Sequence, residues 1–511
     1  PPPDVVIDAK PVARDTRLVQ AGDSNHWRSL TVGANGPATF KQTGGSTRID
    51  NDLTIARNKD STGRVELSGG TMSTGGNQYV GKGGKGEFVQ SGGANVIDGS
   101  LFVGYAGRGS YTITRGTLTG DKIVVATTGD GNFTQGLDAA ERANLAASGA
   151  IDGLAVAVRS NFNAVTVADK QGSHGEVVLN FGDFSSPSQT VGRAGAGSVL
   201  QEGGTNTATT LWLGTTYQSI GSYVLNDGVL KLDPSATIDG DPGITVGGAG
   251  SGSFRMGNAN RAAKIIESQA GTNLAVRAKE SGSGLFRGWG SVGLTGLVVN
   301  NGRIVADGYG NDRALDLSTA KGVTNTIENP IVAGANGWYA RDGGAVVLPS
   351  VNVIPGSNAY SWGEDPNDAL PDLVNSVRLY VRDAETPGEI DISLLSLDRT
   401  DIPALPSGHH FIGVWRFDAH DLDFTGVDLA IRYDDAMAQD QGLSEAILKL
   451  WKYENGDWVR INDDSFRRYT ALNVLSGYAG PDLTYFAVSA PEPTSLGGLI
   501  LGGWMLLRRR R

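Results

Sequence analysis

The sequence predicts an all-β protein: a right-handed parallel β-solenoid, then a small antiparallel β-sandwich, then a short C-terminal hydrophobic helix. Three observations predict this. Glycine makes up 74 of the 511 residues, about twice its usual share of roughly 7%. Two hydrophobic columns recur every 22 to 25 residues, and beyond about residue 355 glycine thins while charge rises. The absence of cysteine excludes a disulfide scaffold, and the net charge of −11 argues against a nucleic-acid partner.

The solenoid prediction rests on two columns of residues that stay in step. The first column is a hydrophobic residue followed by Gly or Ala: Val32-Gly33, Ile55-Ala56, Val80-Gly81, Val103-Gly104 and Val125-Ala126. The second column is a large residue paired with another two positions later: Phe40/Gln42, Val65/Leu67, Phe88/Gln90, Tyr111/Ile113 and Phe133/Gln135. Alternate residues of a strand share a face, so each pair points inward, and glycine pairs such as Gly92-Gly93 suit the corners. These columns place an N-terminal segment or cap at 1–28 and the solenoid at 29–350.

One interruption of the period, near residues 137–148, has helical composition and predicts an inserted helix. A weak calcium loop overlaps its start, formed by Asp130, Asn132, Thr134, Asp138 and Glu141 at positions 1, 3, 5, 9 and 12 of an EF-hand-like spacing. Gln135 stands where the loop needs a glycine and also belongs to the second column. We therefore favour a plain turn from coil to helix, and we expect no metal and no cofactor.

The composition of the sequence after the solenoid predicts a linker at 351–369 and the β-sandwich at 370–490. Its candidate strands include Val377–Val381, Val427–Tyr433 and Ile447–Tyr453. Asn455-Gly456, between two hydrophobic runs, predicts a type I′ hairpin turn.

Motifs for enzymatic chemistry are missing from this sequence: it has no nucleophile elbow, P-loop or dinucleotide-binding fingerprint, and we predict no catalytic residue. Trp289, Trp338 and Tyr339 lie in the less regular late coils. As amphipathic rings they could stack on sugars if they are exposed. The alternative is that they pack inside the end of the solenoid.

The C-terminal segment 491–511 has three parts in order: Pro491-Glu492-Pro493, an apolar run at 496–507, and Arg508-Arg509-Arg510-Arg511. Twelve helical residues span only about 18 Å, against a hydrocarbon core of about 30 Å, so the run is short for a permanent anchor. The arginines would stay on the cytoplasmic side.

This arrangement resembles the PEP-CTERM sorting signal of exopolysaccharide-producing Gram-negative bacteria, and the coils resemble the repeats of autotransporter passengers. The resemblance implies an exosortase-type peptidase as partner, transient insertion of 496–507 in the inner membrane, and delivery to the cell surface or the extracellular (biofilm) matrix. We therefore expect a secreted, non-enzymatic structural protein associated with polysaccharide. Two alternatives stay open: a polysaccharide lyase or glycoside hydrolase acting in a solenoid groove, and an adhesin for a protein receptor.

Overall fold

The computed structural model describes residues 1–8, 15–147, 158–234, 243–279, 282–308, 310, 313–324, 337–362, 374–404, 406–443, 447–462 and 473–491. The regular secondary structure of this part of the chain is almost entirely strand, with α-helices at Ala139–Ala147 and Asp435–Asp440. The chain divides into two compact units, Pro1–Gly302 with Thr319–Lys321, and Arg303–Ser318 with Gly322–Arg511. The all-β fold with long parallel sheets confirms the predicted fold class.

The first unit is a parallel solenoid in which each regular coil supplies one strand to each of three ladders. The first ladder contains the longest strands of the repeat: Asp15–Val19, Pro37–Gln42, Thr62–Leu67, Lys85–Gln90, Arg108–Ile113, Asp130–Gln135, His174–Leu179, Ala196–Gln201, Ile220–Leu225, Ser251–Met256 and Gly282–Gly288. A two-residue strand, Ala278–Lys279, pairs antiparallel with the last of them. Successive strands of a ladder lie about 4.8 Å apart, so one coil adds about that length to the unit.

Shorter strands form the other two ladders. The second ladder contains Ser24–Trp27, Ser46–Ile49, Thr71–Thr74, Ala94–Ile97, Asp183–Ser185, Thr205–Ala208, Val229–Leu232, Ala263–Glu267 and Gly290–Gly293. The third ladder contains Asp4–Ile7, Ser29–Val32, Leu53–Ile55, Gln78–Val80, Ser100–Val103, Ser188–Val191, Thr210–Leu213, Gly243–Val246, Asn273–Val276 and Leu297–Asn300. Gly116–Val125 and Val158–Val167 run through both ladders without a break.

The interior of the solenoid follows the predicted second column. Phe88 lies opposite Val65 in one neighbouring coil and Tyr111 in the other. All three side chains are fully buried, and the rings of Phe88 and Tyr111 stack with their centroids 4.5 Å apart. The period read from the sequence is therefore the register of the first ladder.

The predicted first column forms one corner in each of its five coils. Its second member has a positive φ, 75° at Gly81 and 76° at Gly104, a conformation that glycine adopts without strain. Alanine occupies the same left-handed conformation at Ala56, with φ of 53°. The first-ladder strands from Thr62–Leu67 to Ser251–Met256 all have glycine as their second residue. A Cβ on Gly86 would overlap the backbone nitrogen of Gly81, so this position of the strand requires glycine.

Two features of the first unit bear on the predicted boundaries. Asp4–Ile7 and Ser24–Trp27, within the segment predicted as a cap at 1–28, pair in parallel with the next coil. The solenoid therefore begins earlier than predicted, because these short strands obtain their hydrogen bonds from a neighbouring coil. The inserted helix, Ala139–Ala147, lies inside the predicted range 137–148.

The second unit begins with parallel strands and continues with antiparallel ones. Arg303–Asp307 pairs in parallel with Gly337–Arg341, and Ala314–Asp316 with Ala345–Val347; Gly322–Thr324 is a further short strand. The other edge of Ala345–Val347 pairs antiparallel with Gly388–Leu395. Ala345–Val347 therefore has a parallel neighbour along one edge and an antiparallel neighbour along the other.

Two antiparallel sheets make up the β-sandwich. One sheet continues from Gly388–Leu395 through His409–His420, Tyr485–Pro491, Lys449–Glu454 and Asp457–Arg460. The other contains Gly356–Trp362, Val377–Ala384, Gly426–Arg432 and Val474–Tyr478. The sheets pack through buried rings, among them Trp362 and Phe417 with centroids 6.1 Å apart. Asn455 and Gly456 both have positive φ between two paired strands, which confirms the predicted hairpin.

The stretch predicted as a linker, 351–369, contains strands, which corrects that boundary. Val351–Val353 pairs with Gly388–Leu395, and Gly356–Trp362 pairs with Val377–Ala384. Their partners lie well downstream, so local composition around Pro355-Gly356 suggested a linker where long-range pairing makes strands. Of the tail, Pro491 ends the last strand, while 492–511, with the predicted hydrophobic helix, lies outside the described residues.

Candidate functional site

The three aromatic residues predicted to stack on sugars do not form an exposed platform. Trp338 is 1% exposed, which favours the alternative of packing inside: its position in the strand Gly337–Arg341 turns the ring inward. Tyr339 is half-buried beneath the guanidinium of Arg303, 4.6 Å from the ring centroid, and burial together with the carboxylate of Asp434 raises its pKa. In the first unit Trp289 is also half-buried, and its Nε1 donates a hydrogen bond to the carbonyl of Asn258 at 2.9 Å.

The five residues of the calcium candidate fall into two groups, and each group bonds to protein groups. Asp138 and Glu141 cap the inserted helix reciprocally: the Glu141 amide donates to Asp138 Oδ1 at 2.7 Å, and the Asp138 amide to Glu141 Oε2 at 3.0 Å. Asp130, Asn132 and Thr134 project outward from a strand of the first ladder. Across the described residues, no group of three or more His, Asp and Glu side chains is arranged to hold a metal ion.

Ion pairs and hydrogen bonds hold the outward members of that calcium set. Asp130 lies 3.3 Å from the Arg108 guanidinium and 3.7 Å from His174. Asn132 donates to Glu176 Oε2 at 2.9 Å and accepts from Thr134 at 3.0 Å. These bonds lie flat along the ladder, so the oxygens do not converge on one point as calcium requires.

A chain of charges runs across the outer side of the first ladder in the preceding coils. Glu66 lies 2.8 Å from Lys41 and 2.6 Å from Arg64, and Arg64 also bonds Glu87 in the next coil. The hydrogen bond from Lys41, reinforced by Arg64, holds the pKa of Glu66 below its usual range. The carboxylate is thus kept ionised, the opposite of what a general acid needs.

An aromatic cluster that the sequence analysis missed lies on the outer side of the third ladder. Tyr79 and Phe102, on adjacent coils, stack with centroids 5.1 Å apart and planes 7° from parallel. Tyr105 stands perpendicular to both rings at 5.4 Å, and the Lys82 ammonium lies 4.2 Å from the centroid of Tyr79. We call these four residues the Tyr79 cluster.

The position of Tyr79 and Phe102 within the repeat is a sequence signal for the Tyr79 cluster. The residue before each hydrophobic member of the first column points outward, because neighbours along a strand alternate between faces. Tyr79 and Phe102 occupy this position in consecutive coils, directly before Val80-Gly81 and Val103-Gly104. Lys82 and Tyr105 follow the same corners, so the corner brings both pairs to one side.

Comparison with known proteins gives no relative: no family model matches the chain, and no match is found among curated proteins or solved structures. Among the residues that the structure describes, no helix combines the length and apolar character needed to cross a membrane. Of the predicted sorting motif, only Pro491 falls within these residues.

Proposed function

We propose that this chain is an exported, non-enzymatic structural protein of the cell surface or extracellular matrix, associated with polysaccharide. The supporting observation is that outward charges on the solenoid are largely paired with one another along the ladders, as in the Lys41–Glu66–Arg64–Glu87 chain. A hydrolase needs one carboxyl group with a raised pKa. The pKa of Glu66 is lowered instead, and that of Asp50 is lowered by its hydrogen bond from His26.

The test is a glycan array probed with protein lacking the tail, together with lyase and hydrolase assays on every glycan that binds. We expect binding without turnover. Turnover would support the enzyme, and binding to host or bacterial proteins with no glycan signal would support the adhesin.

The rival enzyme has one observation in its favour, namely that two carboxylates and two basic groups do gather on neighbouring coils. If these groups were catalytic, Glu66→Gln and Glu87→Gln would each abolish turnover. Asp183→Asn, which changes a carboxylate paired with Arg159 at 3.5 Å elsewhere on the solenoid, is the matched control and would not.

We further propose that the tail is a PEP-CTERM sorting signal removed by an exosortase. The support is the order of Pro491-Glu492-Pro493, the apolar run and Arg508–Arg511 at the C-terminal end of the sequence. Intact-mass measurement of protein from the native cell surface should show a chain ending near Pro493. Mature surface protein that still carries Arg511 would contradict sorting by cleavage.

A further inference from the structure

We propose that the Tyr79 cluster and the lysines of the adjoining corner loops form a binding site for an anionic, carboxylated polysaccharide. This inference rests on the proposed association with polysaccharide and adds where the chain binds and which charge it carries. Three properties of the site support it: stacked loops, unpaired positive charge, and an exposed ring held in place by its neighbours.

The corner loops of consecutive coils stack directly on one another beside the Tyr79 cluster. The amide of Gly83 donates to the carbonyl of Ala56 at 3.0 Å, and the amide of Ala106 donates to that of Lys82 at 3.1 Å. The loops after Ile55, Val80 and Val103 therefore rise with the coils, about 4.8 Å at each step. Side chains on them form a strip along the solenoid, which suits a polymer more than a compact ligand.

Positive charge collects on this strip, although the carboxylate of Asp52 also acts on Tyr79. Lys59 and Lys85 are exposed, and within the described part of the chain neither has a carboxylate at ion-pair distance. By contrast, Arg64 and Arg108, which lie in the first ladder as Lys85 does, are each bonded to a carboxylate. Asp60 is the one acidic residue of these loops. The strip therefore carries a net positive charge, in a protein whose net charge is −11. Unpaired ammonium groups attract and orient an anionic chain.

Tyr105 supplies the apolar contact that a sugar ring needs. Its side chain is 37% exposed, while the stacked rings of Tyr79 and Phe102 support it from below. A ring fixed in this way loses little conformational freedom on binding. Lys82 places a cation next to the same rings, so a sugar over Tyr105 would carry its carboxylate within reach of an ammonium group.

The third ladder itself adds little to this surface. The positions equivalent to Tyr79 in the preceding coils hold Thr31 and Thr54, and both are buried. The binding surface is therefore formed by the Tyr79 cluster and the corner loops. The chemistry favours an acidic polysaccharide over a folded protein partner, which would need a larger apolar area at its centre.

The experiment measures binding of the full chain to polygalacturonate, with dextran as the neutral probe, by calorimetry at low and high ionic strength. We expect binding to polygalacturonate alone and weakening with salt. Lys59→Glu combined with Lys85→Glu should raise the Kd by about tenfold or more, and Tyr105→Ala by about threefold to tenfold.

Matched controls separate a local effect from a general one. Lys231→Glu combined with Lys264→Glu reverses two outward lysines of the second ladder, and Tyr217→Ala removes a tyrosine that is 64% exposed on another corner loop. Both should leave the Kd unchanged. Equal losses in variants and controls, or equal binding of dextran, would overturn the site. A chain that binds no polysaccharide of any kind would instead remove the proposed association itself.

Discussion

At the scale of single residues, the interior contains the same polar network twice. In the first copy Asn95 donates to the Tyr111 hydroxyl at 3.0 Å, which donates to Gln90 Oε1 at 2.7 Å. The second copy, formed by Asn206, Tyr223 and Gln201, has the corresponding distances of 2.8 and 2.6 Å. Burial raises the pKa of both tyrosines, so each hydroxyl remains a donor. Such a network is satisfied in one register only, and it therefore fixes the coils against sliding.

The glutamines of these networks also close a corner. Gln90 Nε2 donates to the Gly93 carbonyl at 3.2 Å and to the Thr117 carbonyl of the next coil at 3.0 Å. Gln201 repeats the arrangement with Gly204 and Val229 at 3.2 and 3.1 Å. This is the physical reason for the recurring sequence of glutamine followed by a glycine pair.

We predict that Tyr111→Phe lowers the free energy of unfolding by about 1–3 kcal/mol, because it leaves Gln90 and Asn95 with unsatisfied buried groups. Chemical denaturation followed by circular dichroism measures the change. Tyr223→Phe should cost a similar amount. Tyr105→Phe, which removes a hydroxyl on the outside, is the control and should be near neutral; equal effects of all three would contradict the role of the network.

A second residue-scale prediction concerns acid. Lys41 and Arg64 lower the pKa of Glu66, so this group stabilises the fold above its unfolded pKa of about 4.3. That contribution is lost as the pH falls through the lower folded pKa. Melting temperatures measured across the acid range should show Glu66→Gln destabilised relative to the wild type near neutral pH, with the difference vanishing at low pH. Glu385→Gln, at an exposed position of the sandwich, should show no such trend.

At the scale of elements, the coil is the unit of packing. The buried ring of Phe88 contacts Tyr111 directly and lies in register with Val65. Stability in such an array is shared between nearest neighbours. Damage to one coil should therefore remain close to that coil.

We predict that Phe88→Ala costs about 3–5 kcal/mol, the usual loss for a buried aromatic residue. Hydrogen exchange should show lost protection around residues 65–113, with Gly388–Leu395 of the sandwich unaffected. Val89→Ala changes the outward neighbour on the same strand and is the matched control. Unchanged protection around residues 65–113 in Phe88→Ala would contradict the role of this column in packing.

The inserted helix allows a prediction about calcium. Asp138 and Glu141 bond each other's backbone as a cap, which uses the oxygens that an EF-hand-like site would need. We expect millimolar calcium to leave the melting temperature unchanged and Asp130→Ala to be near neutral. Asp138→Ala should cost about 1 kcal/mol through loss of the cap, with or without calcium. A calorimetric calcium isotherm that disappears in Glu141→Ala would show that the acids bind metal instead.

At the scale of the whole molecule, the chain divides into two compact units, and each has buried rings of its own. The solenoid has its column of stacked rings, and the sandwich has its own around Phe417 and Phe486, whose centroids are 5.2 Å apart. Each core gives its unit an independent source of stability.

We therefore predict two thermal unfolding transitions in scanning calorimetry. Phe88→Ala should lower one of them and Phe486→Ala the other, because each substitution removes packing from a single core. A single transition, shifted equally by both substitutions, would show that the units unfold together.

The sequence by itself determined the repeating part of this protein. The columns through Val80-Gly81 and Phe88 predict coil length, inward face and corners. They do so because residues one repeat apart in the sequence lie side by side in adjacent coils, so the sequence period and the packing have the same spacing. Asn455-Gly456 and the inserted helix are likewise local, since their conformations follow from residues a few positions apart.

Only the tertiary structure decided the features that depend on which coil or strand lies alongside. The sequence did not reveal that Tyr79, Phe102 and Tyr105 meet, because their contact arises from the stacking of two outward positions across a corner. It left open whether Trp338 stacks on sugars or packs inside, and the fold buries this residue. It also predicted a linker at Val351–Val353, which becomes a strand because Gly388–Leu395 supplies its hydrogen bonds from far along the chain. Periodicity encodes contacts at one fixed spacing. Tyr79 and Phe102 lie at that spacing, whereas the contacts of Tyr105, Trp338 and Val351–Val353 lie outside it.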